Sequence, residues 1–147
     1  MRNCIAVAAI FATVVVGSVP AMDANAASAV RFSKIQYDSP GNDTGSNKSL
    51  NSEWALVTNH GAKAKELTGW TSRDPQGHIF KFPTFKLKPG KSVRLHTGKG
   101  TNTGTDLYWK QDSYVWNNEG DKAILKNKSK TVVDTCKWGT GDGTTAC

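Results

Sequence analysis

The sequence predicts an all-β sandwich of about eight short strands in antiparallel or mixed pairing, and three observations carry that reading. Turn signals recur at roughly 8- to 15-residue intervals, most clearly in Asp74-Pro75-Gln76-Gly77, Pro89-Gly90 and Asn117-Asn118-Glu119-Gly120-Asp121. Between the first two, Phe80, Phe82, Phe85 and Leu87 follow an every-second-residue apolar rhythm, re-phased by one position after Pro83, as a half-buried strand requires. After residue 26 no segment keeps a helical apolar period for more than one turn.

The 147-residue chain opens on a short basic start, Met1-Arg2-Asn3, followed by an apolar run from Cys4 to Gly17 and by the helix breakers Gly17, Ser18 and Pro20. With Ala24-Asn25-Ala26 after it, this is the pattern of a secretory signal peptide over residues 1–26, with Val19-Pro20-Ala21 as the alternative cleavage site. The apolar run falls short of the ~20 residues that a membrane span needs. Residues 27–147 then form one domain, long enough to bury roughly two-thirds of its unfolded surface.

Residues 29–37 read as the first strand. Val30 and Phe32 share one phase and Ile35 and Tyr37 the other, which calls for a bulge near Ser33-Lys34. Residues 38–49, rich in Ser, Gly, Asn and Asp, read as a polar loop. In residues 53–59, Ala55 and Val57 face one side and Trp54 and Leu56 the other, the signature of a central strand covered on both faces. Residues 67–100 read as a meander whose aromatic face needs a partner sheet, expected from residues 30–37, 53–59 and the terminal hairpin. The polar stretch 99–106 follows, with Tyr108 and Trp109 as its anchors. Ala123-Ile124-Leu125 and Val132-Val133 make the closing hairpin across 127–130.

Loss of Arg2 and Asp23 with the leader leaves the net charge at +7. A pI near 9.4 suits an anionic partner, and Lys86, Lys88, Lys91 and Arg94 are the candidate polyanion face. Lys126, Lys128 and Lys130 read instead as charges that keep a β turn and edge soluble. With Cys4 removed, Cys136 and Cys147 remain. An even pair in an exported chain favours a disulfide between the last residue and the final strand, against two free thiols at a frayed end.

Candidate chemistry is sparse. His60, His78 and His96 lie far apart in sequence, without the neighbouring acids that complete a zinc set. Asp38, Asn42 and Asp43, and Asn117, Asn118, Glu119 and Asp121, offer oxygen ligands but lack the spacing of a calcium loop, and read as turn caps. Gly98-Lys99-Gly100-Thr101 lacks both the spacing and the following helix of a phosphate loop. There is no Gly-x-Ser-x-Gly, and the one close acidic pair, Glu119 and Asp121, sits in a tight turn, so the reading is non-enzymatic with no cofactor. Asn42, Asn47 and Asn127 each begin an N-x-S/T triplet, which has meaning only in a eukaryotic secreted protein.

Six motifs occur in order. They are Glu53-Trp54-Ala55-Leu56-Val57-Thr58-Asn59, then Leu67-Thr68-Gly69-Trp70, then Phe82-Pro83-Thr84-Phe85-Lys86-Leu87-Lys88-Pro89-Gly90. Val93-Arg94-Leu95-His96-Thr97-Gly98-Lys99-Gly100, Thr105-Asp106-Leu107-Tyr108-Trp109 and Trp116-Asn117-Asn118-Glu119-Gly120-Asp121 follow, the last ahead of Ala123-Ile124-Leu125. In this arrangement, from Val30 to about Trp138, the chain resembles the lamin-tail domain, a family found in nuclear lamins and in many secreted bacterial proteins. It looks most like the short, exported, single-domain members of actinobacterial type. The resemblance implies an immunoglobulin-like β-sandwich and places Trp70 and Trp116 in the core. The coiled-coil rod and nuclear-localisation segment of lamins are missing, so the filament role does not carry over.

The expectation is therefore an exported binding or scaffolding module, secreted or held at the cell wall, with release favoured because no sorting tail follows Trp138. Its partner is an unknown protein or an anionic or glycan cell-wall polymer. The expected ligand loop runs over residues 99–109 and offers Lys99, Asn102, Asp106, Tyr108 and Trp109. The rivals are a carbohydrate-binding module, using Trp54, Trp109 or Trp138 as stacking platforms, and a calcium-dependent adhesin. Nucleic acid is disfavoured, because neither a groove-reading helix nor paired exposed aromatics can be read from the chain.

Overall fold

A computed structural model describes residues 27–147, so the expected leader lies outside the described residues. Strands β1 (Val30–Gln36) and β2 (Trp54–Asn59) flank a short helix α1 (Asn47–Ser52). The middle of the chain holds β3 (Lys65–Glu66), β4 (Thr71–Arg73), β5 (Ile79–Lys81), β6 (Lys86–Leu87), β7 (Ser92–His96) and β8 (Asp106–Tyr108). The chain closes with β9 (Gly120–Lys126), β10 (Val132–Gly139) and β11 (Thr144–Ala146).

These strands form a five-stranded sheet in the order β11-β1-β2-β7-β8, a four-stranded sheet in the order β10-β9-β4-β5, and a two-stranded ribbon of β3 and β6. All pairs are antiparallel except β7 with β8. The expected bulge in β1 is present, as a register shift between Phe32 and Lys34.

Alternation drives the packing. Val30, Phe32, Ala55, Val57, Val93, Leu95 and Leu107 point inward from the larger sheet, and Phe80, Ala123, Leu125, Cys136 and Trp138 from the smaller one. Aromatic rings link the two layers end to end: Tyr37 stacks on Trp138 at 5.2 Å, and edge contacts continue through Trp116, Trp109, Phe80 and Phe82. The disulfide Cys136–Cys147 joins β10 of the smaller sheet to the end of β11 in the larger one.

Four sequence expectations need correction. The stretch 67–100 is not one meander, since its strands separate into the smaller sheet, the ribbon and the larger sheet. The terminal hairpin joins β4 and β5 in the same sheet instead of facing them. Strand β2 is central by pairing, but it is covered on one face only, with Trp54 and Leu56 half-exposed on the other. Helix α1 starts inside the expected polar loop: Ser46 caps it by accepting from Ser49 N, and Leu50 is its one buried residue. A single apolar side chain in six residues leaves no period to detect.

Candidate functional site

The outer face of the five-stranded sheet concentrates the chemistry. Strand register aligns its side chains in rows. Gln36, Trp54, His96 and Tyr108 form one row, and Lys34, Leu56, Arg94 and Asp106 the next. A third row ends in hydroxyls, where Ser33 Oγ donates to Thr58 Oγ1 and Thr58 Oγ1 shares a 2.7 Å hydrogen bond with Ser92 Oγ.

Several large groups on this face are held by a neighbour. The Arg94 guanidinium lies 4.5 Å over the Trp54 ring. His96 stacks on Tyr108 at 4.9 Å. The His96 ring bridges the Asn51 carbonyl at Nδ1 and Asp106 Oδ1 at Nε2. The Thr105 hydroxyl first, and His96 second, hold the Asp106 carboxyl below the usual carboxylate range. Gly100 presses on the Tyr108 ring so closely that a Cβ would sit 2.4 Å from Cε1.

The adjoining end of the sandwich is tied to this face. Lys99 N donates to Asn47 Oδ1, and Asn47 and Asn51 both donate from Nδ2 to the Lys99 carbonyl, so α1 grips the loop after β7. A Cβ at Gly98 would lie 2.6 Å from the side-chain oxygens of both asparagines, so any larger residue there would have to displace that grip. Under the loop lies Glu53, fully buried at the start of β2. One oxygen accepts from Thr97 Oγ1 and Val115 N, and the other has no partner among the described residues. Burial pushes this carboxyl up to about 7, against the lowering effect of those hydrogen bonds.

Some of the residues expected from the sequence fall on this face. Asp106 and Tyr108 stand on the face, and so does Arg94. Trp109 follows Tyr108 in the opposite phase and is buried against Trp116 and Phe80, so its expected place in a ligand loop is corrected to core. Trp138 is core as well, and its Nε1 donates to the Asn117 carbonyl. Asn102 spends its side-chain oxygen on Tyr108 N, and Lys99 pairs with Asp112. Lys86, Lys88 and Lys91 line one cleft of about 290 Å³ together with Ser92, and Arg94 stands two residues further along β7 on the same side as Ser92. Lys86 lies opposite Glu66, which offsets its charge. Asp121 accepts from Asn117 N and Lys122 N, which is turn capping. His96 and Glu53 were missed as members of the site. Only the proximity of α1, β7 and β8 gives them a role.

The two packed sheets define an immunoglobulin-like β-sandwich, with ordered side chains along one outer face. The family model for the lamin tail domain matches residues 23–140, and the chain belongs to that family. No curated protein matches the chain.

Proposed function

We propose that this protein is an exported, non-catalytic binding module that docks a partner protein on the outer face of its five-stranded sheet, around Trp54, Arg94 and Tyr108. The observation that carries the reading is the Arg94 guanidinium held over Trp54. Interfaces draw most of their affinity from a few Trp, Tyr and Arg side chains. Side chains already ordered before contact lose less entropy on binding. Here the arginine rests on the tryptophan and the tyrosine is wedged between His96 and Gly100, so that ordering is built in.

The same geometry weighs against sugar stacking. A sugar needs a free ring face, and Arg94 takes one face of Trp54 while His96 takes one face of Tyr108. Family membership supports an interaction role. The apolar leader pattern and the disulfide Cys136–Cys147 support export, since disulfides persist in oxidising compartments.

A photo-crosslinking residue at position 56, between Lys34 and Arg94, tests the proposal in cell-envelope fractions. The expected result is one defined protein adduct that survives chelator and is lost in Trp54→Ala and Arg94→Ala variants. An adduct indifferent to both substitutions would sink the reading. So would an absent adduct combined with tryptophan quenching by oligosaccharides, which would return the face to the carbohydrate-binding alternative.

A further inference from the structure

The outer face of the four-stranded sheet carries a diagonal line of cations, one from each strand. Thr71 pairs with Lys81, and Arg73 with Ile79 and Ile124, which sets Arg73 one diagonal step from Lys81 and Lys122 one further step on. Lys122 then lies directly opposite Lys137. Diagonal steps between neighbouring strands are about 7–8 Å, so Lys81, Arg73, Lys122 and Lys137 cross the whole sheet as a stripe. The residues between them in sequence, Ser72, Phe80, Ala123, Cys136 and Trp138, are buried, which fixes the stripe on the outside.

No acid forms an ion pair with these cations among the described residues. The outward-facing positions of the three strand pairs hold no Asp or Glu. Of the acids nearby, Asp74 and Asp121 are largely buried and Asp134 accepts from Phe32 N, while the exposed Glu119, in the turn before β9, shares a cleft with Lys122 and Lys137 at one end of the stripe. None of the ion pairs among the described residues involves a stripe cation. The β9–β10 hairpin adds Lys128 and Lys130 at one end. Two clefts that share Thr71 and Lys130, of about 370 and 250 Å³, run along the stripe's flank.

We infer that this face is a binding site for a linear phosphodiester polymer with a polyol or sugar backbone. Like charges gathered without partners raise the local potential and attract an extended polyanion. Arg73 Nε donates to the Asp74 carbonyl, which leaves the terminal guanidinium nitrogens free to grip a phosphate as a fork. Ile79, 53 % exposed, sits beside Arg73 and gives the carbon backbone of such a chain an apolar contact. The outward-facing positions contain no aromatic side chain, and single-stranded nucleic acids rely on aromatic stacking. The site is separate from the Trp54 and Arg94 face and stands or falls without it.

The test measures binding of the purified protein to a synthetic poly(glycerol phosphate) chain, with a charge-matched oligothymidylate as the second arm. Two triple variants remove the same net charge: Arg73→Gln/Lys122→Gln/Lys137→Gln on the stripe, and Lys86→Gln/Lys88→Gln/Lys91→Gln on the cleft beside β6. The stripe triple should weaken the polyol phosphate at least about tenfold and flatten its salt dependence by about two to three in log–log slope, roughly one per phosphate released. The other triple should change both little. Equal losses in the two triples would mean net charge alone and would overturn the proposal. Tighter binding to the oligothymidylate than to the polyol chain would overturn the polymer class. Should the stripe triple fail to fold, Lys81→Glu/Lys137→Glu asks the same question with the core untouched.

Discussion

The two outer faces of the sandwich contrast in how their charge is satisfied. On the five-stranded sheet Arg94 has a ring beneath it, His96 has two acceptors, and Asp106 has a hydroxyl and an imidazole. On the four-stranded sheet Arg73, Lys81, Lys122, Lys126 and Lys137 stand on strands whose outward positions hold no acid. A face whose large side chains hold one another offers shape, whereas a face with its cations gathered offers long-range attraction. One small domain thus presents two different kinds of surface from the same alternating pattern, because each strand buries every second residue and leaves the others free to differ.

That contrast presumes one shared core, and the largest expected effect tests it. Trp116→Ala breaks the ring chain that runs from Tyr37 to Phe82 and should cost about 3–5 kcal/mol in denaturant unfolding. Loss in a single transition keeps the sheets as one cooperative unit. Two transitions, with one face surviving, would break the comparison.

A smaller effect belongs to the satisfied side. Glu53 is pushed from 4.5 to about 7 by burial, so the folded state holds its proton more tightly than the unfolded chain does. Its contribution therefore favours folding below about pH 4.5 and is lost as pH rises to about 7, on the order of 3 kcal/mol over that window. Glu53→Gln keeps an oxygen for Thr97 and Val115 and carries no charge. Its unfolding free energy should run flatter than the wild type's between about pH 5 and 7, because a side chain that does not titrate couples no proton to folding. A wild-type profile that climbs over this range would contradict the buried acid.

The smallest effect compares the faces directly. Arg94→Ala should lose about 0.5–1 kcal/mol, the value of an exposed cation–π contact. Arg73→Ala should change stability by less than about 0.5 kcal/mol in either direction, since relief of repulsion among like charges offsets the packing that the side chain gives up. Thermal melts at low salt resolve the difference, and equal destabilisation would show that the two arginines sit in equivalent surroundings.

Much of the fold was legible because burial writes itself into alternation. Phe80, Phe82, Phe85 and Leu87 are all core, the β1 bulge sits where the phase of Val30 and Phe32 breaks, and Cys136 and Cys147 are bridged. Sheet membership was not legible. The run 67–100 has one rhythm but serves three sheets, and pairing partners are chosen by residues far away in sequence. The face was half legible for a related reason. Tyr108 and Trp109 are equivalent aromatics to a reader of composition, and only the register of β8 on β7 sends one outward and the other into the core. The cation stripe was hidden because its four members come from four strands spread over residues 73 to 137.

The bridge between Cys136 and Cys147 also decides how the domain carries load. Residues 136–147 form a closed covalent loop that includes β11, so a pull on Cys147 enters the fold at Cys136, within the eight-residue strand β10. The three-residue β11, which would otherwise peel from β1 one hydrogen bond at a time, is bypassed. Tension instead reaches the fold through β10, whose ladder with β9 is longer than that of β11 with β1.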